Sequence, residues 1–173
     1  MNGQEQQRGE TMAKICPVTD EPALYISCQE CEDHAICEKG EIKPVFALLI
    51  VGSRSITDYG FVRERLDHLI GPIRDKYCFQ VVSGGANGVD KLAERYAKEN
   101  GFEMHVMPAE WKKFGKKAGY IRNEAMHRYI SGFAHRGCVA FWDGSTKSKG
   151  TLHSLELAKK HGNPIRFITR RKK

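Results

Sequence analysis

The sequence predicts an α/β protein: a doubly wound parallel sheet of about five strands, preceded by a small cysteine-rich segment. Three observations carry that expectation. Short apolar runs alternate with helically spaced stretches across residues 45–168. Polar loops rich in Ser and Gly follow three of those runs. Four cysteines, Cys16, Cys28, Cys31 and Cys37, crowd into the front of the chain with no comparable apolar content around them.

The run at 45–51 is apolar throughout, as a central strand buried on both faces requires. Thr57 or Asp58 suits the cap of a helix reaching Ile70, with Phe61, Val62, Leu66 and Leu69 on its inner side. Residues 79–82 form a second strand that breaks into Ser83-Gly84-Gly85-Ala86-Asn87-Gly88, and residues 89–100 resume helical spacing. Residues 102–107 read as a third strand, and 111–119 as an irregular basic stretch containing Lys112, Lys113, Lys116 and Lys117. A helix over 120–130, a strand at 138–142, a helix over 151–161 and a last strand at 164–168 complete the alternation before a basic tail.

Hydrophobic residues make up 40% of the 173-residue chain, which supports a packed core and excludes disorder throughout. No apolar run approaches the roughly 20 residues of a membrane helix, and the polar start lacks a signal-peptide core. A cytoplasmic protein without a membrane partner is the expectation. The charge is unevenly spread: residues 1–41 hold three basic and nine acidic side chains, leaving 25 basic and 12 acidic in the rest. A net +13 body favours anionic company, either nucleotides, nucleic acid or the acidic front segment itself.

Residues 1–43 are read as a separate cysteine-rich unit with its linker, and 44–173 as the body. Cys28 and Cys31 have the spacing at which one tight turn presents two thiolates to a tetrahedral metal, and Cys16 and Cys37 complete four ligands. Structural zinc would supply the folding energy that so few apolar residues cannot. An iron–sulfur cluster also takes four cysteines, but the spacing departs from the common ferredoxin runs. No redox cofactor is expected. Cys78 and Cys138 adjoin or lie in strands and read as inert core thiols.

The chemistry of the body concentrates where strands end. In a doubly wound sheet, ligands sit at the carboxyl ends of the strands. Gly52-Ser53-Arg54, the stretch Ser83 to Asp90, and the stretch Asp143 to Thr151 all fall there. Glycines let backbone N–H groups approach a ligand, and the following helix turns its positive end toward the same place. The glycine spacing differs from both G-x-G-x-x-G and the P-loop, so neither NAD binding nor phosphoryl transfer follows from this loop. The candidate ligand-binding residues are Gly52, Ser53, Arg54, Ser83, Gly84, Gly85, Ala86, Gly88, Asp90, Arg122, Asn123, Asp143, Gly144, Lys149, Gly150 and Thr151. Arg54 and Arg122 can offer a bidentate fork to phosphate, Asp90 a contact to ribose, and Lys147 and Lys149 further positive charge.

Gly52-Ser53-Arg54, the run Ser83-Gly84-Gly85-Ala86-Asn87-Gly88-Val89-Asp90, the run Ala118-Gly119-Tyr120-Ile121-Arg122-Asn123-Glu124-Ala125-Met126, and Phe141-Trp142-Asp143-Gly144 with Lys149-Gly150-Thr151 resemble the YspA-like branch of the SLOG superfamily. That superfamily joins the Smf/DprA proteins and the Lonely Guy phosphoribohydrolases. The resemblance spans residues 45–168 and implies a Rossmann-like fold. It also implies binding of nucleotides or nucleotide-derived ligands, in nucleotide signalling or phage–host conflict. Lonely Guy enzymes use an arginine, to which Arg122 is similar, and a glutamate in Gly-Gly-x-Gly-Thr-x-x-Glu. Here Lys147 and Ser148 replace the first two glycines and Ser154 the glutamate.

The expected function is a binding or sensor module for a phosphorylated nucleotide or NAD-derived ligand. One alternative is N-glycosidic hydrolysis of nucleotides, with Glu110, Asp90 or Glu156 as the acid. Another is DprA-like nucleic-acid binding. Homo-oligomerisation through helices is a further arrangement that the resemblance suggests.

Overall fold

The computed structural model describes residues 12–15, 22–23 and 42–170, with side chains from Lys43 onward. Cys16, Cys28, Cys31 and Cys37, and with them the expected zinc module, lie outside the described residues. Two short backbone strands precede the body, β1 (Met12–Ile15) and β2 (Pro22–Ala23). β1 pairs antiparallel with β2 and with the first residues of β3 (Ile42–Gly52), Met12 standing opposite Pro44.

From β3 the chain alternates through α1 (Tyr59–Ile70), β4 (Cys78–Ser83), α2 (Val89–Glu99), β5 (Glu103–Val106), the short helix α3 (Trp111–Phe114), α4 (Ala118–Ser131), β6 (His135–Trp142), α5 (Lys149–Lys160) and β7 (Ile165–Thr169). Five of these strands form an all-parallel array in the order β5-β4-β3-β6-β7. The chain thus runs outward from the centre to β5, then crosses back to the other side of β3.

The apolar run of β3 explains its central place. Alternate side chains point to opposite faces of a strand. Leu48 and Ile50 join one buried cluster with Val62, Leu66 and Ile70 of α1 and with Val89, Ala93 and Tyr96 of α2. Ala47, Leu49 and Val51 join the other with Met126 and Ile130 of α4. A strand covered on both sides needs no polar alternation, and β3 has none between Val45 and Val51. The expected Rossmann-like doubly wound fold is the fold observed.

Local boundaries follow local chemistry. The Asp58 carboxylate accepts the Phe61 backbone N–H at 3.1 Å and starts α1, as expected of this cap. A 3-10 turn, Gly71–Lys76, follows α1; its proline sits in the first turn, where a missing N–H costs nothing. β6 begins at His135, three residues ahead of the apolar run, because His135, Arg136 and Gly137 extend the ladder against Phe46, Ala47 and Leu48. The stretch expected to be irregular, 111–119, instead folds into α3, a 3-10 turn at Gly115–Lys117 and the first residues of α4. Among the described residues no helix is long and apolar enough to cross a membrane. Cys78 and Cys138 are both buried, as expected for core thiols.

Candidate functional site

Three loops leave the carboxyl ends of β3, β4 and β6 and are stitched to one another. The Ser53 N–H donates to the Phe141 carbonyl at 2.9 Å, and the Asp143 N–H donates to Ser53 Oγ at 3.1 Å. Gly88 lies directly on the first loop: a Cβ there would come within 2.5 Å of Arg54 Cα, and its φ of +80° is one that L side chains rarely adopt. Between these loops and α4 opens a cleft of about 470 Å³.

The glycine turn is held from beneath. Ser83 Oγ accepts the Gly85 N–H at 3.1 Å, and the Asp90 carboxylate accepts the Ala86 N–H at 3.2 Å. Arg122 reaches in from α4 and donates to the Gly84 carbonyl at 2.5 Å, with its Nη1 3.7 Å from the Asp90 carboxylate. The guanidinium occupies the space beside Gly84: a Cβ there would stand 2.0 Å from Arg122 Nη1, so a side chain would displace the arginine. Burial pushes the Asp90 carboxyl up to about 6, against the opposing pull of Arg122 and of the Ala86 N–H. Burial likewise works against the charge on Arg122, and Asp90 opposes that effect.

Asp143 organises the third loop. Its carboxylate accepts from Ser55 Oγ at 2.5 Å, from the Ser145 N–H at 2.9 Å and from Ser148 Oγ at 2.9 Å. Burial alone would raise this carboxyl, but the donors from Ser55, Ser145, Ser148 and Ser53 hold it down at about 2. Trp142 is half-buried and donates its indole N–H to the Ser145 carbonyl at 3.0 Å, which fixes the loop from the other end. Asn123 donates to the Gly150 carbonyl at 3.1 Å and ties α4 to the start of α5.

Of the residues expected to bind ligand, Gly52, Ser53, Arg54, Ala86, Asp90, Arg122, Asn123, Asp143, Gly150 and Thr151 line the cleft. Ser83, Gly84, Gly85, Gly88, Gly144 and Lys149 do not. The first four of these shape the turn from behind, and Gly144 and Lys149 are exposed beside it. The cleft also takes in Ser55, Trp111, Lys116, Gly119, Tyr120, Ser145, Lys147 and Ser148. Of these, Lys147 was legible as added charge and Lys116 as part of a basic stretch. Trp111 and Tyr120 gave no signal in the sequence beyond aromatics flanking that stretch.

The three carboxylates considered as an acid separate clearly. Asp90 lines the cleft, whereas Glu110 and Glu156 are exposed and do not. Ser154 is fully buried between helices and within 2.7 Å of His127 Nε2, outside the cleft. Among the described residues no group of three or more His, Cys, Asp or Glu is placed to hold a metal ion.

Comparison with known proteins agrees with this architecture. The model of the YAcAr family (YspA, cpYpsA-related SLOG family) matches residues 46–114, from β3 through the glycine turn to α3. The Gene 61 protein of Mycobacterium phage D29 is 38% identical over 123 residues, a match that takes in 68% of this chain and 92% of the phage protein. With a parallel sheet of the expected kind, a family match centred on the glycine turn and a relative aligned over nearly its whole length, the chain belongs to the YspA, cpYpsA-related SLOG family.

Proposed function

We propose that the protein binds a nucleotide or nucleotide-derived phosphorylated ligand in the cleft at the carboxyl edge of its sheet, as a binding or sensor module. The observation that carries this reading is the charge left over in the cleft. Asp90 is engaged by Arg122, and Asp143 by a set of serine and backbone donors. Arg54, Lys116 and Lys147 line the same space and make no ion pair among the described residues. Asp143, ionised and held by neutral donors, offsets one of these charges, and the excess of about two positive charges in a concave polar site favours an anion of about two charges. The N-termini of α2 and α5, neither of which has a side-chain cap, add to that preference at the same edge.

Calorimetric titration with a panel of nucleoside mono- and diphosphates and NAD derivatives tests the reading. Arg54→Ala or Lys147→Ala should weaken the best ligand by about tenfold, the scale of one lost charge-assisted hydrogen bond. Affinity unchanged in both variants would remove the ligand from this cleft.

A second reading rests on Asp90. A carboxyl buried at 3% exposure and titrating near 6, on the wall of a polar cleft, has the protonation behaviour of a general acid in N-glycosidic cleavage. Its Oδ2 is already engaged by the Ala86 N–H and faces Arg122, which favours the binding role. Release of free base from any nucleotide of the panel, lost in Asp90→Asn, would reverse that preference.

A further inference from the structure

We propose that Trp111 and Tyr120 form the base-recognition surface of the cleft, stacking the nucleobase of a ligand whose phosphates face Arg54 and Lys147. The proposal rests on the nucleotide-binding reading and adds to it the group that would tell a nucleotide from a simple sugar phosphate. Both side chains line the cleft, yet Trp111 is 51% and Tyr120 45% exposed. Large aromatic surface left open inside a concave polar site is a recognition feature, because a folding chain otherwise buries it.

Neighbouring geometry separates these two rings from the other exposed aromatics. Phe114 is 38% exposed, but it lies outside the cleft and its face is covered by the Lys113 ammonium, 4.9 Å from the ring centre. Phe167 lies outside the cleft and packs on Trp142. The Trp111 indole has no aromatic or cationic partner among the described residues, so its faces are available.

Both rings are also held in place. Gly119 lets the indole lie close to α4: a Cβ there would approach Trp111 Cη2 to 3.3 Å. The Tyr120 ring stands nearly perpendicular to the His153 imidazole, with centroids 4.7 Å apart. Lys116 lines the same cleft and adds a cation to it. A cleft that combines open aromatic rings with the cations Arg54, Lys116 and Lys147 matches the chemistry of a nucleotide, a π-surface joined to phosphate. Stacking tolerates any base but grows with ring area, so purine nucleotides should bind most tightly.

The test compares guanosine and adenosine diphosphates, uridine diphosphate and ribose 5-phosphate by calorimetry. The intact chain, Trp111→Leu, Trp111→Phe and Tyr120→Leu are each titrated. The expected order is purine above pyrimidine above ribose 5-phosphate. Trp111→Leu should weaken the purine nucleotides on the order of tenfold while leaving ribose 5-phosphate unchanged, and Trp111→Phe, which keeps a π-face, should restore most of the loss. Nucleotide and ribose 5-phosphate binding equally well, with both leucine variants silent, would overturn the base surface and leave the phosphate site standing. Binding of none of the four compounds would overturn both. A Trp111→Leu variant that loses ribose 5-phosphate to the same extent would mean a structural role for Trp111, and would also overturn the proposal.

Discussion

Two buried groups carry opposite pH dependences. Burial holds the His127 imidazole down at about 4, with His161 pushing the same way, so folding keeps it neutral while an unfolded histidine charges near 6.5. Stability from this source rises with pH between about 4 and 6.5. Asp90 behaves in the reverse sense: its folded value of about 6 exceeds the unfolded one near 3.8, so stability falls as pH rises through that window. Each shift spans about two units, on the order of 3 kcal/mol, and the windows overlap. The intact protein should therefore show little net slope from these two groups. In urea unfolding between about pH 4 and 6.5, Asp90→Asn should gain stability relative to the parent as pH rises, and His127→Gln should lose it. Parallel curves for all three proteins would mean that neither group is shifted as described. Asp143, held at about 2, contributes above pH 4 and loses its contribution as pH falls through roughly 4 to 2. The Asp90 and Arg122 pairing was not legible in the sequence, because the two meet only when α4 is folded back across the sheet.

At the scale of elements, the glycines of the turn do two different jobs, and substitution should separate them. Gly88→Ala places a Cβ 2.5 Å from the backbone of Arg54 at a φ of +80°, so two loops must part. A loss of about 2 kcal/mol or more in denaturant unfolding is expected. Gly84→Ala meets only the end of the Arg122 side chain, which can swing away. Stability should fall less there, while nucleotide affinity drops because the guanidinium leaves its seat. Equal stability losses in the two variants would contradict this division. Sequence patterns revealed β3, the glycine turn and the Asp58 cap, since an unbroken apolar run reads as a buried strand and clustered glycines as a tight strand-to-helix turn. They revealed less of 111–119, where four lysines and two glycines mask a helix too short for any periodicity to register. They also stopped short of His135, whose place in β6 is decided by a ladder to Phe46 rather than by its own polarity.

Across the whole molecule, the excess of positive charge in the body does not by itself distinguish a nucleotide from a nucleic acid. The salt dependence of binding does. A site that neutralises about two charges should lose about tenfold in affinity between roughly 50 and 200 mM salt. A surface gripping roughly six to ten phosphates would lose ~10³–10⁵-fold. Titration of a nucleoside diphosphate and of a single-stranded oligonucleotide across that range decides between them, and a steep slope for the oligonucleotide with tight binding would favour the nucleic-acid alternative. The strand order has one more consequence. Because β5 lies at one edge and β6 beyond the centre, the connection between them must travel back over two strands, about 14 Å at ordinary strand spacing. That single returning segment carries Trp111, Lys116, Tyr120 and Arg122, whereas Arg54, Asp143 and Lys147 sit on separate short connections. If the base lies on Trp111 and Tyr120 as proposed, base choice resides in one contiguous stretch, and residues 107–121 could be exchanged for those of a relative while Arg54, Arg122, Lys147 and the core residues Met126 and Ile130 stay as they are. A graft of this length should carry the donor's base preference with it, which makes the protein a scaffold whose selectivity can be rewritten in one contiguous stretch.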